Sequence, residues 1–150
     1  MRTPTIIAIA LLATACGATK PALPPRVTIL HANHAHDLLE QCSRPTPDGI
    51  SAGWDIPPKL ATQIETDLPK LANKIPGHNP HVFFRQYVGI VQSGKRLVYI
   101  NAFAPNTLEK RDDSWKSKPT GACDGGDQFW GVVYDPAART FSALEFNGEF

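Results

Sequence analysis

The chain has 150 residues, 42% of them hydrophobic, with fifteen Lys or Arg against fourteen Asp or Glu and a formal net charge of +1. That balance excludes the basic face nucleic-acid binding needs and electrostatic adhesion to anionic lipid, while the length suits one domain with one core. Fourteen prolines punctuate the chain and no internal repeat is present.

Met1 and Arg2 precede an apolar run, Ile6 to Leu12, and then Ala13-Thr14-Ala15-Cys16-Gly17. One positive charge, a short apolar stretch and small residues before a cut mark a secretory signal peptide over residues 1–15. The stretch falls short of the roughly 20 apolar residues a membrane span requires. Cys16 after the small residues resembles the bacterial lipobox, whose cysteine takes lipid and begins the mature protein. Ala13-Thr14-Ala15 also satisfies the A-x-A rule for an ordinary secreted protein, cut at the same bond, and lipoboxes usually carry Leu where Ala13 stands. Cysteine counting favours lipid. Three cysteines would leave one reactive thiol in an oxidising compartment, whereas lipid on Cys16 leaves Cys42 and Cys123 as a pair. Gly17, in place of Asp, resembles lipoproteins sorted to the outer membrane. The expected location is the cell envelope, lipid-anchored in the outer membrane and facing the periplasm. Loss of Arg2 with the leader leaves fourteen basic against fourteen acidic side chains.

Residues 16–37 read as the lipidated cysteine and a Pro/His-rich tether, with Pro21, Pro24 and Pro25 stiffening it. His31 to Cys42 forms a short helical turn ending at the second cysteine, and Ser43 to Gly53 is a Pro/Gly loop. A Cys42–Cys123 disulfide would close a loop of roughly 80 residues, for which the chain-entropy model gives about 4.5 kcal/mol. Two free buried cysteines are the alternative, one that a periplasmic chain disfavours. Asp55-Ile56-Pro57-Pro58 marks a helix start with Asp55 as cap. Leu60, Ile64, Leu68, Leu71 and Ile75 then recur at helical spacing. Pro69 inside the stripe predicts a kink, or a restart capped by Asp67, and Pro76-Gly77 ends the helix.

His81 to Gln92 and Lys95 to Phe103 are apolar, β-branched and aromatic runs around Ser93-Gly94, which predicts a hairpin. That turn puts Val88, Ile90, Leu97 and Tyr99 on one face, and Tyr87, Val91, Val98 and Ile100 on the other. Both faces are apolar, so besides one helix the N-terminal segment, a loop or a partner must cover the second. Residues 104–122 form a long polar loop containing Trp115, a length often tied to function. A second hairpin runs from Gln128 to Tyr134 and from Arg139 to Phe146 about a turn at Asp135–Ala138. The prediction is a single α+β domain over residues 38–150: one helix on a four-stranded antiparallel sheet of two hairpins, an element order shared with cystatin-like folds.

Chemistry-bearing residues are few. His31, His34 and His36, beside Asp37 and with His78 and His81 further on, have the donor type for zinc or copper, or are a solvated histidine-rich tether. Asp124 and Asp127, in Cys123-Asp124-Gly125-Gly126-Asp127, offer an acid–base pair, calcium ligands or an anion-cradling turn; the plainer reading is a disulfide-pinned turn that launches a strand with Trp130 in the core. Trp115 and Tyr87 are candidate binding anchors, and Trp54 is expected on the sheet. No serine-hydrolase, zinc-protease or phosphate-loop motif occurs, and no motif calls for a cofactor.

From Cys42-Ser43-Arg44-Pro45 through Trp54, Arg85-Gln86-Tyr87-Val88-Gly89, Cys123-Asp124-Gly125-Gly126 and Phe146-Asn147-Gly148, residues 42–150 resemble a family of small bacterial exported proteins or lipoproteins of no assigned function. The resemblance implies no activity and no site residues. The expected role is non-catalytic binding or inhibition of an envelope partner. An envelope hydrolase or metal-binding protein using Asp124, Asp127 or the histidines is the alternative.

Overall fold

The computed structural model describes residues 22–107 and 113–148. The signal peptide, Cys16 and residues 16–21 of the tether lie outside the described residues, as does 108–112 of the long loop. In chain order the elements are β1 (Val27–Ile29), α1 (Ala35–Leu39), β2 (Ile50–Trp54), α2 (Pro58–Asp67), β3 (Phe84–Gln92), β4 (Lys95–Phe103), β5 (Phe129–Asp135) and β6 (Thr140–Phe146). The four C-terminal strands run antiparallel in the order β3-β4-β5-β6. Two short strands share the other edge of β3. β1 lies parallel to its first half, with Val27 opposite Arg85, and β2 lies antiparallel to its second half, with Trp54 opposite Gly89.

The expected single helix on a four-stranded antiparallel sheet, with its cystatin-like order, therefore does not form. The sheet is mixed and six-stranded among the described residues, with two helices, although the class remains α+β. The cause lies in β3, whose residues Arg85 to Ile90 are buried without interruption. An open edge there would strand backbone N–H and C=O groups away from water. Neither short strand announces itself: β1 has three residues, and Ile50-Ser51-Ala52-Gly53-Trp54 is mostly small. Pairing with β3 makes them strands. Residues 27–37, expected in the tether, are thus built into the domain.

Leu60, Ile64, Leu68, Leu71 and Ile75 are all buried against Tyr87, Val98, Ile100, Trp130, Val132 and Tyr134. The helix starts at Pro58 with Pro57 in the capping position. Asp55, expected to cap it, instead accepts from the Ala32 backbone N–H at 3.0 Å. At Pro69 the chain tightens into a 3-10 stretch, Leu68–Lys74, without a fresh cap; proline in a first turn forfeits no helical hydrogen bond. The Asp67 carboxylate accepts from the Tyr134 hydroxyl (2.6 Å) and from Arg139 Nε (2.9 Å), and pairs with Lys70. Arg139 first, then Tyr134 and Lys70, hold this carboxyl well below the usual carboxylate range.

The hairpin at Ser93-Gly94 forms with Gln92 opposite Lys95, and both turn residues have positive φ, as a two-residue turn of this hand demands. Its second face is covered from within the chain. Leu30, Ala35, Leu38 and Leu39 sit on Val88, Ile90, Leu97 and Tyr99, while Trp115 joins Phe84, Phe103 and Phe129. Covering a sheet with irregular chain leaves carbonyls to be satisfied. Buried Gln86 donates to the Trp115 and Lys118 carbonyls, both at 2.6 Å, and Asn101 donates to the Thr120 carbonyl at 2.7 Å. Arg44, also buried, donates to Asn101 Oδ1 at 2.7 Å. A Cys42–Cys123 disulfide fastens the same corner.

Candidate functional site

The segment after α1 is set by local bonds. The Thr46 hydroxyl donates to the Leu39 carbonyl (2.9 Å), Gly49 takes a positive φ, and Gln92 Nε2 donates to the Asp48 carbonyl (2.7 Å). Gly53 permits the close approach of the turn before α1, because a Cβ there would lie 2.4 Å from the Ala32 carbonyl oxygen. Between these two walls runs a half-open groove of about 540 Å³, within the ~300–1,000 Å³ range of ligand sites.

Ile50, Ser51, Ala52 and Gly53 all line this groove. The register of β2 slips between Ile50 and Ala52, which breaks the alternation of faces there. The groove borders β2 beside α1 and the 46–49 segment, and the outer edge of β2 is the one turned away from β3. That edge is open. β2 pairs with β3 alone, and among the described residues no backbone bond joins 50–54 to anything else. Ser51, Ala52 and Gly53 are exposed. The charged lining residues are Glu40 and Asp48, with His36 Nε2 at 3.3 Å from Glu40 Oε1. Among the described residues no Lys or Arg lines the groove.

Both expected aromatic anchors are core residues. Tyr87 is wholly buried beneath α2 and its hydroxyl donates to Glu65. Burial first, and the Glu65 charge next, push its phenol well above the ordinary value. Trp115 is 6% exposed, its ring 4.8 Å from that of Phe84. The polar composition around it concealed that residues 113–122 pack inward. Trp54 is half-buried on the sheet as expected, and its Nε1 donates to the Leu97 carbonyl at 2.8 Å. Trp130 is in the core, after a turn in which Gly125 and Gly126 have positive φ.

The remaining candidates stay apart. Asp127 is exposed and Asp124 half-buried; neither lines the groove. His31 lies 3.3 Å from Asp55, and His36 borders the groove without His31 or His34. Among the described residues no three His, Cys, Asp or Glu side chains are grouped to hold a metal. His81 Nδ1 lies 3.1 Å from Glu65, and His78 Nδ1 lies 3.2 Å from the Ala72 carbonyl.

Two features escaped the sequence reading. Arg85, 1% exposed, donates to Glu65 through Nε and Nη2 (both 2.9 Å) and also to the Pro25, Pro80, His81 and Phe83 carbonyls. An arginine between aromatics, Phe84-Arg85-Gln86-Tyr87, is its one sequence trace. The groove had only the Asp48-Gly49 turn before a run of small residues.

No family model, curated protein or solved structure matches the chain. Among the described residues no helix is long and apolar enough to cross a membrane.

Proposed function

We propose that this is an exported, lipid-anchored protein of the bacterial envelope that acts by binding a partner rather than by catalysis, with the groove along β2 as its contact. The observation that carries the reading is a strand bonded on one side only, bordering a groove large enough to receive part of another molecule. The disulfide supports an oxidising compartment, and the leader with Cys16 supports a lipid anchor in the outer membrane, facing the periplasm. The hydrolase and metal-binding alternatives draw no comparable support, because Asp124, Asp127 and the histidines do not converge in a cleft.

Two measurements test this. Cys16→Ser is expected to release the protein from membranes on fractionation; continued membrane association would end the anchor. A photo-crosslinking side chain at Ser51, installed in the producing cell, is expected to trap an envelope protein that the same group at Ser142 on β6 does not trap. Equal capture from both positions, or none, would overturn the binding role.

A further inference from the structure

We propose that the β2 groove takes an extended, lysine- or arginine-bearing peptide segment of the partner, added as a further strand on the open edge of β2. The inference rests on the binding role above and names the chemistry of what is bound.

Three observations converge. The outer edge of Ile50–Trp54 presents backbone donors and acceptors with no backbone partner among the described residues, which is the requirement for strand addition. Ser51 and Ala52 are small and exposed, so an incoming chain can approach them to the ~4.8 Å spacing of paired strands, while at Gly53 the Ala32 backbone already lies close and bounds the path. The third observation is charge. Glu40 and Asp48 are the groove's carboxylates; among the described residues no Lys or Arg lines it, and His36, beside Glu40, is its one basic side chain. The Asp48 carboxylate has no hydrogen-bond or ion-pair partner among the described residues, its main-chain carbonyl alone being engaged by Gln92. In an extended peptide alternate side chains lie on one side, so lysines at every second position can face Glu40 and Asp48 while the backbone pairs with β2. An acidic peptide would meet like charges on the same path.

The test uses the full, oxidised chain in detergent and fluorescence anisotropy of a dye-labelled octapeptide of alternating Lys and Val. Saturable binding is expected, weakened at least tenfold by the double variant Glu40→Lys/Asp48→Lys and absent for the alternating Glu and Val peptide. Both substituted residues are exposed, so the variant is expected to keep the wild-type unfolding midpoint. N-methylation of alternate amides, in the two possible phases, is expected to abolish binding in one phase and spare the other. Equal binding of the Lys and Glu peptides, or no effect of the double variant, would overturn the charge assignment. Equal binding of both N-methylated peptides, or full competition by spermidine, would overturn strand addition. Ser51 crosslinking in cells without binding of the Lys/Val peptide would sink this inference and leave the binding role standing.

Discussion

Asp67 shows how one buried carboxylate ties α2 to the last hairpin. Tyr134 and Arg139 reach it from β5 and from the turn before β6, and Lys70 from the following helical turn. Its folded-state affinity for a proton is depressed, so it stabilises the fold above its unfolded pKa of about 3.9, and that contribution fades as pH falls below it. Arg139 and Lys70 are half-exposed, and water screens part of their pull. Asp67→Asn is therefore expected to cost about 1–2 kcal/mol at pH 7, with the difference from wild type shrinking at pH 3. Urea denaturation at the two pH values checks this; an undiminished gap in acid would show that packing, not charge, is at stake. Nothing at the sequence level distinguished Asp67 from an ordinary cap, since its three donors lie far along the chain or one turn away.

At the scale of elements, the sheet depends on how closely β2 can approach β3. A Cβ on Gly89 would stand 2.1 Å from the Trp54 carbonyl oxygen and 2.8 Å from its indole ring. Backbone cannot retreat as a flexible side chain can, so Gly89→Ala is expected to displace β2 and cost about 1–3 kcal/mol. Amide exchange should quicken over residues 50–54 and stay slow in β4 and β5; uniform quickening would mean that β2 is integral to the whole core. The α2 stripe and the Ser93-Gly94 hairpin were legible because their signals are local: a period of 3.6 and a turn needing positive φ. β1 and β2 were not legible. Their strand character is imposed by the buried edge they serve, and Gly89 in a strand is the single local hint that another backbone comes close.

For the whole molecule, the disulfide and the buried amides of Gln86 and Asn101 hold irregular chain over a sheet face that one helix leaves bare. Replacing both Cys42 and Cys123 by Ser is expected to lower stability by about 2–4 kcal/mol, and reduction of the wild type should reproduce the shift. An unchanged urea midpoint would show that the buried polar contacts suffice. The amino-acid sequence by itself determined the α+β class, the helix stripe, both hairpins, the pairing of the two later cysteines and the need for a second cover on the sheet. Each of these follows from periodicity, turn chemistry or counting, which act over a few residues or need no geometry. Only the tertiary structure decided that Trp115 and Tyr87 face inward, that α1 and residues 113–122 supply the cover, and that β2 leaves a groove bearing Glu40 and Asp48 beside an open edge. Those outcomes depend on which distant segments satisfy the backbone groups of β3 and its neighbours, and no local pattern encodes that competition.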